Sequence, residues 1–116
     1  MDTGDAFDPN CPTRVVLDRI GDKWSALVLL CLAEGPMRFT RLRSRIGGVT
    51  PKVLTQTLRT MEHDGLITRE VFAEVPPRVE YALTDLGRSL HDPISAVVAW
   101  AETHVAEILR HRERSA

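Results

Sequence analysis

Long apolar runs, cysteine pairs and catalytic signatures are all missing from this 116-residue chain. The longest uninterrupted apolar stretch covers residues 26–33, far short of the ~20 needed to cross a bilayer, so no membrane partner is expected. The acidic start, Met1-Asp2-Thr3-Gly4-Asp5, leads into no apolar segment, and no signal peptide is expected. Cys11 and Cys31 are the two cysteines and form no CxxC pair; this is no disulfide framework, and a cytoplasmic location is the expectation. There is no Ser-His-Asp order, Gly-rich phosphate loop or cluster of paired carboxylates, so neither an enzyme nor a catalytic residue is expected. Internal repeats and low-complexity segments are absent as well.

What remains is the composition of one globular domain, 43 % apolar and 27 % charged. A chain of this length buries roughly two-thirds of its unfolded surface and can fold without metals or disulfides. The formal net charge of −1 gives no hint of a nucleic-acid partner, but its distribution does. Residues 1–10 carry Asp2, Asp5 and Asp8 and no base, whereas residues 36–60 carry Arg38, Arg41, Arg43, Arg45, Lys52 and Arg59 and no acid. Such a block attracts a polyanion even when the whole protein is close to neutral.

Apolar periodicity and capping residues predict the elements. Asn10 and Pro12 start a first helix with Val16, Leu17 and Ile20 on its apolar face. Asp22 caps a second over residues 23–34, apolar nearly all round and therefore central. After Gly35 and Pro36, residues 37–39 are extended. Thr40 caps a third helix, Phe39 serves as its hydrophobic staple, and Leu42 and Ile46 form its stripe. Thr50 and Pro51 are a cap and a first helical position for a fourth helix ending near Asp64 and Gly65. In that helix Leu54, Leu58 and Met61 face inward, and Lys52, Gln56, Arg59 and His63 face outward. The period then changes to two: residues 66–72 and 78–83 are strands, the second with Val79, Tyr81 and Leu83 on one face, and residues 73–77 form a proline-containing tip. Thr84 and Asp85 open a final helical region, which Asp92 and Pro93 kink or restart.

A short helix, a turn and a capped, polar-faced helix form a helix-turn-helix, and the hairpin behind it is a wing. The fourth helix suits a major groove, with Thr50, Lys52, Thr55, Gln56 and Arg59 placed to meet bases and phosphates. Thr40 and the start of the third helix offer free amides to a phosphate, and Arg69 and Arg78 bring charge to the wing. The fold class is thus mainly α with a small β-hairpin.

These residues carry a resemblance. The segments Cys11-Pro12, Ile20-Gly21-Asp22-Lys23-Trp24, Gly35-Pro36-Met37-Arg38-Phe39-Thr40, Thr50-Pro51-Lys52-Val53-Leu54-Thr55-Gln56, Asp64-Gly65-Leu66-Ile67, Glu74-Val75-Pro76-Pro77-Arg78-Val79-Glu80-Tyr81 and Thr84-Asp85-Leu86-Gly87 resemble the HxlR-type winged helix-turn-helix regulators, relatives of the MarR group. The resemblance spans residues 11–100 and is most specific in the Pro-Pro-Arg-Val-Glu-Tyr wing. It implies bacterial homodimers that bind pseudo-palindromic double-stranded DNA operators through Arg38, Thr40, Arg41, Thr50, Pro51, Lys52, Thr55, Gln56, Arg59, Arg69 and Arg78, with the terminal helices pairing. Leu86, Leu90, Ile94, Val97, Val98, Ala101 and Val105 are the expected dimer face, because a long amphipathic helix would otherwise leave its stripe wet. The expected division is a flexible acidic arm (1–10), a DNA-binding domain (11–84) and a dimerisation region (85–116). Thr57, Thr60 and Ala73 depart from the family pattern, the first two by making the recognition helix less polar and the third by loosening the wing tip.

Cys31 reads as a core residue. Cys11 stands at a helix start with Arg14 one turn on, where the dipole and charge favour a thiolate, and its position near residue 1 makes it the thiol expected to be reachable by solvent; the resemblance implies a thiol sensor for an oxidant or electrophile, and an inert structural cysteine is the alternative. His104, Glu107 and His111 share one face of the last helix, a weak signal on a terminal segment, and no metal or cofactor is expected. Two other functions stand beside the thiol-responsive regulator: one that binds a metabolite in the dimer cleft near Trp24 and Trp100, and a winged-helix protein-interaction module without DNA binding.

Overall fold

The structure, a computed structural model, describes residues 4–115. Six helices and one hairpin follow in the order α1 (Thr13–Gly21), α2 (Lys23–Leu32), α3 (Phe39–Arg45), α4 (Pro51–His63), β1 (Ile67–Phe72), β2 (Arg78–Leu83), α5 (Asp85–Ser89) and α6 (His91–Ser115). This is the expected helix-turn-helix with a two-stranded wing. Asp22 caps α2 by accepting from the Trp24 amide, and Thr50 caps α4 by accepting from the Val53 amide with Pro51 at the first helical position. Both caps satisfy donors that a helix start otherwise leaves open.

Two expected caps are not used. Pro12, not Asn10, occupies the cap position of α1, while the Asn10 amide donates to Asp8 Oδ1 at 2.9 Å. α3 begins two residues early, at Phe39, with Arg38 at its cap and no side-chain cap bond; Thr40 lies inside the first turn. The reason lies in Met37. Its amide and carbonyl pair with the carbonyl and amide of Tyr81 at 2.9 and 2.8 Å, so the extended piece ends there and the helix starts as soon as the chain leaves the wing.

The core is aliphatic. Val28, Leu29 and Leu32 of α2 meet Leu42 and Ile46, then Leu54, Leu58 and Met61 of α4, with Ile67 and Leu83 closing the sheet side. At about 25 cal/mol per Å² of apolar surface removed from water, these contacts are the main stabilising term. Ile94 of α6 is also buried here, at 2 % exposure, so this member of the expected dimer face is used within the protomer, and Leu90 and Val98 pack partly against the same core.

α4 ends in a left-handed turn. Gly65 has φ +77°, its amide reaches Glu62 O, and the Leu66 amide reaches Met61 O, both at 3.0 Å; this pattern satisfies the last carbonyls of the helix. Thr84 joins this turn to α5: its hydroxyl donates to Gly65 O at 2.6 Å and accepts from the Gly87 amide at 3.0 Å. Leu90 separates α5 from α6, and Pro93 falls in the first turn of α6, so the proline restarts the helix rather than kinking it.

The outer surface of α1 is apolar: Val15, Val16 and Leu17 are exposed, and the Ile20 side chain lies outside the described residues. Residues 4–10 form successive turns held by bonds from the Asp8 amide to Asp5 O and from the Cys11 amide to Asp8 O. Residues 1–3 of the expected arm lie outside the described residues. No helix among the described residues is long and apolar enough to cross a membrane.

Candidate nucleic-acid interface and thiol site

α4 presents Lys52, Gln56, Arg59 and His63 outward, all exposed, opposite the buried stripe of Leu54, Thr57, Leu58 and Met61. Thr57 belongs to the buried set, so it does not alter the outer face as the sequence suggested; it lies three residues from Leu54 on the core side. Thr60 does shape that face. Its hydroxyl donates to Gln56 O at 3.0 Å, and Gln56 Nε2 lies 3.4 Å from Thr60 Oγ1, so the amide of Gln56 rests folded along the helix. Thr50 Oγ1 is occupied as a cap acceptor, which leaves its hydroxyl proton for an outside acceptor.

Arg38, Thr40 and Arg41 are exposed around the start of α3. Arg45 is committed elsewhere: it forms an ion pair with Glu34 at the end of α2. Of the six-charge block, Arg38, Arg41, Arg43, Lys52 and Arg59 have no ion-pair partner among the described residues.

The hairpin register sorts the two wing arginines. Arg69 pairs with Tyr81 and Phe72 with Arg78, and successive side chains alternate faces, so Arg69 and Arg78 lie on opposite sides of the wing. Arg69 and Tyr81 face α4 and, with Thr55, Arg59 and Glu62, line a polar hollow of about 400 Å³. Alternation in the sequence carries this signal for Tyr81, although alternation alone marks it only as core-facing. Arg78 is half-buried, with Cζ 4.1 Å over the Phe72 ring and carboxylates of Glu74 and Glu80 at 3.3 and 3.4 Å.

The thiol site departs from expectation. Cys11 is 7 % exposed, no more than Cys31, because the turns of residues 4–10 fold across it. Arg14 anchors that cover through Ala6 O and Phe7 O at 3.2 and 3.3 Å. Desolvation under this cover works against the thiolate but is outweighed. The Cys11 pKa is lowered from the ordinary thiol value, first by the Thr13 side chain, whose Oγ1 lies 3.2 Å from Sγ, and next by the Thr13 backbone; Arg14 contributes least. Cys31 is shifted the other way by burial.

The remaining expected positions split by exposure. Leu86, Val97, Ala101 and Val105 are exposed, as are Trp100, Ile108 and Leu109, and the α1 face joins them through a trough of about 280 Å³ lined by Val15, Val16, Leu66, Leu86 and Leu90. His104 is stacked on Trp100 at 4.5 Å, with Nδ1 2.8 Å from Trp100 O. No group of three or more His, Cys, Asp or Glu suited to a metal ion occurs among the described residues.

The family model described as "HxlR-like helix-turn-helix" matches residues 19–108. The chain belongs to this family. The uncharacterized HTH-type transcriptional regulator YtfH of Escherichia coli (strain K12) is 41 % identical over 113 residues, 97 % of this chain and 90 % of the relative. The solved structure of ytfH, a transcriptional regulator from Salmonella typhimurium, superposes with a TM-score of 0.85 at 40 % identity and covers 95 % of this chain and 98 % of its own. That of the redox regulator HypR in its oxidized form gives 0.74 at 39 %, covering 80 % and 96 %. This HxlR-type chain is therefore a helix-turn-helix transcriptional regulator. The family membership carried by scattered segments of the sequence is shown. Three local features escape sequence reasoning: the Met37–Tyr81 pairing, the Thr60 hold on Gln56, and Thr13 as the partner of Cys11.

Proposed function

We propose that this HxlR-type regulator binds a pseudo-palindromic operator as a homodimer, each protomer laying α4 in a major groove. The observation that carries this reading is the outward face of α4, where Gln56 is exposed and Lys52 and Arg59 have no ion-pair partner among the described residues, beside the capped start at Thr50 and Pro51. Lys52, Thr55, Gln56 and Arg59 are the base-reading and phosphate-reading set. Arg38, Thr40, Arg41 and, on the wing, Arg69 meet the backbone on either side. Residues 11–84 make the DNA-binding unit and residues 85–116 the pairing unit, aided by α1; exposed valines and Trp100 over a long α6 support the second assignment. Half-site centres lie about one helical turn, or a small multiple of it, apart.

The test is binding to genomic fragments enriched on the purified protein, measured across salt. With roughly three to five phosphates neutralised per protomer, the log–log slope is about −5 to −9. Gln56→Ala or Arg59→Ala lowers discrimination between operator and random DNA by about 1–3 kcal/mol where the side chain bonds a base in bidentate fashion. Salt-independent affinity, or no change with both side chains removed, overturns this docking, and a lack of salt-dependent DNA binding favours a protein-interaction module.

Cys11 is the proposed entry point for the signal. Its lowered pKa and the likeness to a redox regulator support a thiol chemistry, in which an oxidant or electrophile modifies the sulfur and moves α1. A second reading rests on the apolar trough between α1 and α5, of a size for a small metabolite. An operator complex that dissociates with oxidant in wild type but not in Cys11→Ser supports the first; equal responses favour the second.

A further inference from the structure

Arg78 is the wing's odd cation. The side of the hairpin facing away from α4 carries Glu70 directly opposite Glu80, then Phe72 opposite Arg78, with Glu74 following in the loop. Like charges directly across a ladder are unfavourable, and three carboxylates on a segment that must approach DNA add a repulsive field. One guanidinium meets two of these carboxylates, Glu74 and Glu80. Its Cζ lies over the Phe72 ring, one terminal nitrogen reaches Glu74 of the loop, and Nε, buried and without a hydrogen bond among the described residues, sits against Glu80. The Glu74 amide is simultaneously tied to Phe72 O at 2.9 Å, so the loop is folded back onto the residue that Arg78 covers. Its charge is already shared between two carboxylates of the wing, and it lies on the opposite face from Arg69.

We propose that Arg78 is a positioning residue of the wing and not a DNA contact: it cancels part of the acidic outer face and pins the loop of residues 73–77 through Glu74 and Phe72. A lysine ammonium, a single point charge, does not cover the ring and meet both carboxylates at once in this way. This rests on the DNA-binding reading above, which is checked first on wild type by its salt-dependent affinity.

The experiment compares wild type, Arg78→Gln and a triple variant, Arg78→Gln with Glu74→Gln and Glu80→Gln, on operator and random DNA across salt. Arg78→Gln weakens both by roughly three- to tenfold, on the order of one stacked cation and its ion pairs. The triple variant, which removes two carboxylates but does not restore the pin, recovers most of the lost affinity, with an unchanged log–log slope. Hydrogen exchange of the Glu74 amide, read without DNA, is about tenfold faster in Arg78→Gln. A direct bond from Arg78 to phosphate gives the opposite pattern: the triple variant stays weak, its slope shallower by about 0.9 for each phosphate no longer neutralised, and Glu74 exchange is unchanged. That pattern overturns the proposal, as does an Arg78→Gln protein that matches wild type in both assays. If wild type binds no DNA, the DNA-binding reading fails by itself, and the exchange result still decides whether Arg78 holds the loop.

Discussion

Arg19 reaches across from α1 to the end of α4, where its Nε donates to Asp64 Oδ2 at 2.6 Å. Asp64 is the residue that closes α4, so the ion pair fastens the outermost helix to the proposed recognition helix. Both side chains are mostly covered, at 25 % and 20 % exposure, which separates this pair from the exposed ones, such as Arg88 with Asp85. Removing either partner strands the other in a partly desolvated position. Arg19→Ala and Asp64→Ala each lower unfolding free energy by about 1–2 kcal/mol, and a double-mutant cycle by urea denaturation returns a coupling of about 1 kcal/mol. Strictly additive effects would mean that the pair adds nothing to stability.

Gly87 tolerates no side chain. A Cβ built there falls 2.0 Å from Leu66 O, the carbonyl that receives the Thr84 amide. Gly87→Ala must push α5 off the start of β1, and it destabilises by about 1–3 kcal/mol. Gly21 is the control: nothing lies within 4 Å of its Cβ position, so Gly21→Ala is neutral or stabilises by up to about 1 kcal/mol. Thermal denaturation of the two variants gives opposite shifts, and equal losses would contradict the packing described.

Two residues on one helix divide the proposed dimer face from the core. Val97→Glu, at an exposed position, leaves the protomer folded and moves sedimentation from dimer to monomer. Ile94→Ala, at a buried one, costs about 2–4 kcal/mol of folding stability and changes association only as far as folding is lost. A wild-type chain that sediments as a monomer at micromolar concentration removes the basis for the pairing unit.

The pKa values of the two thiols are shifted in opposite directions, that of Cys11 down through Thr13 and that of Cys31 up through burial. At any pH below the ordinary thiol pKa, Cys11 holds the larger thiolate fraction, so its alkylation rate reaches half-maximum at lower pH than that of Cys31. Arg14→Ala gives a sharper test. Were the charge of Arg14 the main influence, the variant would react more slowly; because Arg14 chiefly holds the cover over Cys11, the variant reacts faster. Peptide mass spectrometry after timed alkylation distinguishes the two signs.

The sequence announced most elements because their signals are local. Asp22, Thr50 and Thr84 each cap a helix within three residues, and the stripe of Leu54, Leu58 and Met61 marks the inner side of α4 without any knowledge of its neighbours. What escaped was set at a distance. Asn10 and Thr40 are good caps by type, yet the arm claims the first and the Met37–Tyr81 pairing moves the helix start past the second. Ile94 continues the same apolar period as Val97, and only the placement of α6 against α2 tells which of them is covered. Arg69 and Arg78 look equivalent as wing cations until the register assigns them opposite faces. The burial of Cys11 depends on how residues 4–10 fold back over it.

The bond from Thr84 to Gly65 has a mechanical meaning. It fixes the C-terminal end of α4 to the helices proposed to pair, and leaves the other end, at Thr50, free of that tie. The thirteen residues of α4 make an arm of about 20 Å at 1.5 Å each. A tilt of about 5° about the fixed end therefore carries Thr50 through roughly 2 Å, comparable with the span of a hydrogen bond. The joint sits at the end of the helix where a small rotation gains the most travel, so slight adjustments among the terminal helices arrive magnified at the opposite tip.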